Sequence, residues 1–446
     1  MNTQPVPVSQ LLVWRRAIQG LFNQHPFNLL SDLGERTEAI LVFRVAGEKI
    51  YFFNEPDLVK EVLVTNHAKL QKGRALNRLK PTLGNGLLTS EGELHQKQRR
   101  IIQPVFNHRN LQAYAAPMAA RASKLSASWE DSQPVNMTAA MIALTLSIVC
   151  QTLFGADVES ETSRVGELMT KIVEAFPFLL SPFAGVLEML SFSKLREAAA
   201  ARAELHGIVQ RMIAARRSSC NQRSDLLGLL FAAQDQETES GMSEQQLEDE
   251  VTTIFMAGHE TTANALAWTF YLLAQHPGFD QQLRIQLCQV LGDRPPAVAQ
   301  LPELTLLDQL IHESLRLYPP AWTIGRRAIE DVQIGSAEIS KGSLLVVSPW
   351  TMHRSERFYA HPAEMRPERW TETFRRQLPK YAYFPFGGGP RQCIGEGFAW
   401  MELKVLLAVL LRHWRIELIP GQNIRPKPAI TLRSNHPIRV VVHRAA

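Results

Sequence analysis

Short runs rich in β-branched and aromatic residues sit near both ends of the chain, and a helical rhythm of apolar positions fills most of the length between. Ala39–Val45 and Lys49–Phe53 are dense in Val, Ile and Phe, and Ala46-Gly47-Glu48 between them predicts a hairpin turn. Further strands are expected at Ser343–Val347, Arg415–Ile419 and Ile438–His443. One helix stands out. Ser243 and Gln246 form an S-x-x-Q capping box, with Glu244, Glu248, Asp249 and Glu250 near the positive end of the helix dipole. The apolar pattern then runs to His276, where Pro277 stops it. At ~1.5 Å per residue such a helix is on the order of 50 Å long, enough to cross a whole domain. No internal repeat or low-complexity tract interrupts the pattern, and Ala198–Ala203 is a strong helix former and nothing more. The fold expected is mainly α with a small β-rich region. Residues 1–446 form one domain, with strand signals near 39–53 and 414–443 and a helical core over about 90–410.

Composition narrows the setting. The 446 residues are 45% hydrophobic and 20% charged, ordinary for a globular protein. The net charge of +5 is spread over pairs such as Arg15–Arg16, Arg99–Arg100, Arg216–Arg217 and Arg375–Arg376, so nucleic acid is not an expected partner. The four cysteines, Cys150, Cys220, Cys288 and Cys393, fit neither a zinc site nor a disulfide framework, which points to a reducing, cytoplasmic setting. The first residues carry no signal-peptide pattern, and no stretch of ~20 apolar residues offers a membrane anchor. Cys150, Cys220 and Cys288 lie in helical, mostly apolar surroundings and read as packing residues. His25, His67, His276 and His353 read as capping or surface residues.

The strongest chemical signal is Phe386-Gly387-Gly388-Gly389-Pro390-Arg391-Gln392-Cys393-Ile394-Gly395, which fits the pattern F-x-x-G-x-R-x-C-x-G in full. Three successive glycines let the backbone turn tightly beside a flat ligand. Cys393 falls just before a helical run from Glu396 to Leu411, where the dipole and free N–H groups favour a thiolate. A thiolate on haem iron pushes electron density toward a trans oxygen and favours O–O cleavage. Arg391 is well placed to meet a haem carboxylate.

On these residues the chain resembles the cytochrome P-450 family, in particular its soluble bacterial members, and other segments agree. Glu313-Ser314-Leu315-Arg316 matches the family's E-x-x-R, followed by Leu317-Tyr318-Pro319-Pro320. Met365-Arg366-Pro367-Glu368-Arg369-Trp370 resembles the family's P-E-R-F segment, with Trp370 in place of the usual Phe. The resemblance implies a structural network of Glu313, Arg316 and Arg369 that locks the cysteine loop. Ala257-Gly258-His259-Glu260-Thr261-Thr262 matches [AG]-G-x-[DE]-T-[TS] on the long helix. Gly258 costs ~1 kcal/mol there relative to Ala, which makes sense where a flat cofactor or dioxygen approaches the backbone. The resemblance assigns proton delivery to the reacting oxygen to Thr261 and Glu260, with Ala257 and Gly258 against the cofactor. Gly395 closes the cysteine motif. His95 and Arg99 match H-x-x-x-R, four apart on one helix face, and Phe106 stands where the family has Phe. These two and Arg326 are expected to hold haem carboxylates; Arg327 is adjacent, and the choice between the two stays open.

The matching segments run in family order from about Pro81 to Leu411. The implied fold is a single haem-binding domain, and the implied cofactor is haem b. The implied reaction is insertion of one dioxygen atom into a small apolar organic substrate, by hydroxylation or epoxidation, in a monomeric protein. NAD(P)H would supply electrons through a separate ferredoxin or flavodoxin and its reductase, since no such module fits in the remaining sequence. A peroxide-driven peroxygenase or isomerase is the alternative enzyme, disfavoured by the intact Glu260–Thr261 pair. A non-catalytic haem-thiolate binding protein is the other alternative. The substrate pocket is expected at the Lys72–Leu88 loop, the apolar stretch Ala175–Val186 with Phe176, Phe178 and Phe183, the helix residues Thr253, Phe255 and Ala257, and Ala321–Ile324 with Thr323. A terpenoid, fatty acyl chain, steroid or polyketide would fit. Lys97, Arg100, Arg109 and Lys404 are expected to form the basic face that receives an acidic electron donor.

Overall fold

A computed structural model of the chain describes residues 4–13, 15–16, 27–45, 47–155, 162–180, 193–218, 225–234, 242–292 and 294–445. The chain divides into two units. The first takes in Met1–Arg78, His312–Cys393 and Pro426–Arg433. Its framework is a six-stranded sheet in the order Val6–Pro7, Ile40–Val45, Glu48–Phe53, Leu344–Val347, Ile324–Ala328 and Leu70–Lys72. The predicted hairpin is there, Ile40–Val45 antiparallel to Glu48–Phe53 with Val45 opposite Glu48. Three of the six strands, Val6–Pro7, Leu70–Lys72 and Ile324–Ala328, were not legible as strands, because each is too short or too polar to show a period of two. Tyr51, Phe53, Leu345 and Val347 pack one face of the sheet into a core with Leu58, Val59 and Val62. Phe43 and Phe52 pack the other face against Val8, Val13 and Leu33.

The second unit takes in Leu79–Ile311, Ile394–Arg425 and Ser434–Ala446 and is mostly helical. Its centre is the long helix, Glu244–Gln275, opened by the Ser243–Gln246 capping box with both reciprocal bonds made. It ends with His276 as C-cap, one residue before the expected stop, and Pro277 begins the next helix. Buried residues lie on almost every side of it, so it is a core helix and not an amphipathic surface one. Met137–Leu153 lies along it closely enough that a Cβ on Gly258 would come 3.2 Å from Val149 Cγ2. The small sheet of this unit aligns Trp414–Leu418, Arg439–Arg444 and Gln133–Asn136, all antiparallel. The expected fold class is what the structure has: mainly helix, with small sheets.

One packing expectation is corrected. Cys288 is exposed, because Leu283, Leu287 and Leu291 occupy the inward face of Pro277–Leu291 and Cys288 is turned away from it. His353 is the C-cap of the short helix Pro349–Met352, one of the two roles expected of it, and is buried there. Cys150 is buried as expected, while Cys220 and His25 lie outside the described residues. Among the described residues no helix is long and apolar enough to cross a membrane.

Candidate active site

The cysteine loop is built by backbone hydrogen bonds within the first unit. The Cys393 N–H donates to the Phe386 carbonyl at 3.0 Å, Gly387 N–H to Phe384 O at 3.0 Å, and Gln392 N–H to Gly389 O at 3.0 Å. Gly389 has φ of +68°, and a Cβ there would lie 2.2 Å from the Leu63 carbonyl oxygen. A Cβ on Gly388 would lie 2.6 Å from the Tyr381 ring. Contacts with the protein's own core therefore already require glycine at both positions. Cys393 itself is exposed and precedes by two residues Gly395, the N-cap of the helix Glu396–His413. That position offers a thiolate the positive end of the helix dipole.

Behind the loop stands the expected network, and it is larger than expected. Glu313 accepts a bidentate pair from Arg316, Nε to Oε2 and a terminal N–H to Oε1, both at 2.8 Å. It also accepts from Arg369 Nε at 3.2 Å, from the Arg366 backbone N–H at 2.8 Å and from Trp370 Nε1 at 2.8 Å. Five donors thus converge on one fully buried carboxylate and satisfy both of its oxygens. Trp370 in place of Phe thus adds a hydrogen bond that Phe cannot make. Arg316 in turn donates to the carbonyls of His353, Pro362 and Glu364.

His353 carries this order to the cysteine loop: its Nε2 accepts the Phe384 N–H at 2.9 Å. Burial, with Arg316 and Arg354 nearby, holds its basicity well below the usual imidazole range, so the ring is neutral and able to accept. Sequence reasoning missed this residue, because its role depends on contact with two distant segments.

On the long helix in the second unit, Ala257 is exposed and Thr261 half-buried, in a stretch where Val251–Met256 and Thr262–Phe270 are buried throughout. Thr261 Oγ1 donates to the Ala257 carbonyl at 2.9 Å, the bond that holds a threonine hydroxyl against its own helix. Glu260 is buried beside it. The open side of Gly258 faces Val149, so its nearest reason is helix packing.

A further acid lies close by. Glu402, on Glu396–His413, is fully buried, and burial drives its pKa well above the ordinary carboxylate range, with a hydrogen bond from Thr262 opposing that shift. In strict geometry neither Glu402 oxygen has a partner among the described residues. The Thr262 hydroxyl also faces the Gly258 carbonyl at 3.5 Å, so we read the Thr262–Glu402 contact as loose and the burial as the dominant effect.

Two of the residues expected at the pocket on this helix are buried. Phe255 is fully buried, with its ring against Phe154 and His259. Two residues on a 3.6-residue helix turn it about 200° away from Ala257. Thr253 does lie on the Ala257 face, but its hydroxyl donates to the Leu83 carbonyl at 3.2 Å and Gly86 covers it. Ala321 is exposed and Thr323 half-buried. The side chains of Phe176 and Phe178, and residues 181–192 with Phe183, lie outside the described residues.

Of the basic candidates, His95 and Arg99 share one face of the helix Gly92–Ile102, His95 buried and Arg99 half-buried. Arg326 is buried on the strand Ile324–Ala328. Its neighbour Arg327 points to the opposite face, where Glu48 and the Gly342 carbonyl take its guanidinium. Lys404 pairs with Asp308 at 2.7 Å, which corrects its place among the exposed cations.

With this geometry in hand, the comparisons with known proteins are unambiguous. Residues 2–442 match the family model described as Cytochrome P450. The chain is 34% identical over 424 residues to cyclooctatin synthase of Streptomyces melanosporofaciens, covering 94% of this chain and 92% of that protein. It is 31% identical over 416 residues to cyclooctat-9-en-7-ol 5-monooxygenase of the same organism, covering 93% and 88%. With pentalenene oxygenase of Streptomyces avermitilis it shares 30% over 423 residues, covering 94% and 92%. The chain belongs to the cytochrome P450 family. It is a monooxygenase of that family, and its cofactor is haem b, bound through a cysteine thiolate. The residues present fit that group: an exposed cysteine before a helix N-terminus, an exposed alanine on an otherwise buried helix stretch, and buried or half-buried His and Arg side chains suited to carboxylates.

Proposed function

We propose that Cys393 is the axial thiolate and that residues 1–446 work as one cytoplasmic haem-binding domain that oxygenates an apolar cyclic olefin or olefinic alcohol. The observation that carries the assignment is the cysteine loop, in which the Cys393 N–H is tied to Phe386 O while the side chain stays exposed ahead of a helix N-terminus. Haem held by a thiolate supplies an iron centre whose electron density favours O–O cleavage. Arg326, His95, Arg99 and Arg391 would hold its carboxylates, with Arg326 favoured over Arg327 because Glu48 already occupies the latter. Phe386, Ala257 and Gly395 would bound the cofactor.

Thr261 holds a hydroxyl proton on the Ala257 carbonyl, from which rotation about one bond frees it for the reacting oxygen. Glu260, next to it, would replace that proton. Electrons would come from NAD(P)H by way of a ferredoxin or flavodoxin and its reductase, to a monomeric enzyme. Among the terpenoid, fatty acyl, steroid and polyketide classes that the sequence admits, the relatives' names favour the cyclic olefins.

The test is turnover of a panel of cyclic olefins and olefinic alcohols, pentalenene included, under isotopically heavy dioxygen with NADPH, ferredoxin and reductase. One heavy oxygen atom per product molecule is the expected result. Product formed only with hydrogen peroxide would mean a peroxygenase instead.

A further inference from the structure

The acidic start of the long helix does more than complement its dipole. Gly84–Ser90, which follows the short helix Lys80–Leu83, has no strand or helix of its own, yet side chains from two helices bind the backbone of Leu83–Ser90 at successive points. The Asn85 N–H donates to Asp249 Oδ2 at 2.7 Å, and the Leu87 N–H to Glu250 Oε2 at 3.0 Å. Thr253 Oγ1 donates to Leu83 O at 3.2 Å, and from Gly92–Ile102 Gln98 Nε2 donates to Asn85 O at 2.8 Å. The fit leaves no slack. Gly84 has φ of +63°, and a Cβ on it would lie 1.9 Å from Asp249 Oδ1, while one on Gly86 would lie 2.3 Å from Thr253 Oγ1.

Asp249 and Glu250 are both buried, and neither has a Lys or Arg ion pair among the described residues. Two adjacent buried acids are an expensive way to pack a loop. What carboxylates add is direction, since each accepts one particular N–H. Asp249, Thr253, Ala257 and Thr261 follow at intervals of four, so the helix face that clasps the segment becomes, a turn later, the face that is open at Ala257.

We propose that Asp249 and Glu250 are positioning residues that hold Leu83–Ser90 shut next to the Ala257–Thr261 face and thereby limit the size of substrate that reaches it. This rests on the reading of that face as the haem side. The test uses the holoenzyme and two azoles that ligate haem iron, imidazole and the bulkier 4-phenylimidazole, followed by stopped-flow change in the Soret band.

Asp249→Ala and Glu250→Ala should each admit 4-phenylimidazole about tenfold faster, the factor that one lost hydrogen bond is worth, with imidazole unchanged. Asp249→Asn and Glu250→Gln keep an acceptor for the same N–H and should behave as wild type. Equal acceleration of both azoles, or of neither, would overturn the proposal, since general loosening would not discriminate by size. If wild-type protein gave no Soret response to imidazole, the haem-side reading would be the one at fault. Amide hydrogen exchange at Asn85 and Leu87 would then still decide: protection should drop about tenfold in the alanine variants, and unchanged protection sinks the clasp.

Discussion

Thr261 has one hydroxyl and two uses for it. The proton rests on Ala257 O, and in the proposed reaction it would turn outward to serve the reacting oxygen. Thr261→Ala should therefore keep haem and substrate binding but lower product formed per nicotinamide consumed by roughly tenfold or more, with the lost electrons recovered as peroxide or water. Thr261→Ser should recover most of the coupling. Unchanged coupling in the alanine variant would leave Thr261 a packing residue. Glu250 makes a second prediction at this scale. Burial, reinforced by Asp249 and opposed by the Leu87 N–H, pushes its carboxyl up to about 8, from an ordinary value of 4.5. Between those values the folded protein keeps a proton that the unfolded chain has released, so stability falls as pH rises from about 4.5 to about 8 and is level above. The loss is on the order of 5 kcal/mol across that window. Glu250→Gln cannot titrate, and its thermal midpoint between pH 5 and pH 8.5 should decline visibly less than wild type. Parallel profiles would contradict the assignment.

At the scale of elements, the E-x-x-R helix and the segment from His353 to Trp370 are joined through Glu313, and the cysteine loop hangs from that joint by His353 and Phe384. Removing one donor from a charged, buried acceptor costs about 1.5–3 kcal/mol, so Trp370→Phe should destabilise by about that much in urea unfolding, although Phe is the family's usual residue. Glu313→Gln breaks the buried pair and should cost about 3–5 kcal/mol and release haem more readily. A stability unchanged by Trp370→Phe would show that the indole bond contributes nothing. Much of this element was legible beforehand: Glu313, Arg316 and Arg369 carry a fixed spacing, and Cys393 sits in a ten-residue pattern. What escaped was long-range. Nothing local in the sequence tells Trp370 that it faces Glu313, or Asp249 and Glu250 that 160 or so residues earlier a loop offers them N–H groups, as the spacings of 164 and 163 residues show. Phe255 shares the helix of Ala257 but lies about 200° from it, against Phe154 and His259.

For the whole molecule, the proposed reaction would need a surface that receives electrons. Lys404 is committed to Asp308, which leaves Lys97, Arg100 and Arg109 from the expected basic face, with Arg100 and Arg109 exposed. An acidic donor steered by such charges arrives faster at low salt, and the advantage fades as the Debye length falls from ~10 Å at 0.1 M to ~3 Å at 1 M. First-electron transfer should slow with ionic strength in the wild type and be slower and less salt-sensitive in Lys97→Glu with Arg100→Glu; a rate indifferent to both would rule that face out. The fold class, the family and the order of its segments were readable from one sequence because they rest on local patterns, whereas the substrate is not, because the segments expected to line its pocket lie far apart in the chain. The proposed chemistry depends on one bond, between Cys393 and the haem iron, and a single spectrum tests it. The reduced carbon monoxide complex of the wild type should show the red-shifted Soret band of thiolate ligation, and Cys393→His should hold haem without that band. A red-shifted band retained in Cys393→Ser would contradict the assignment.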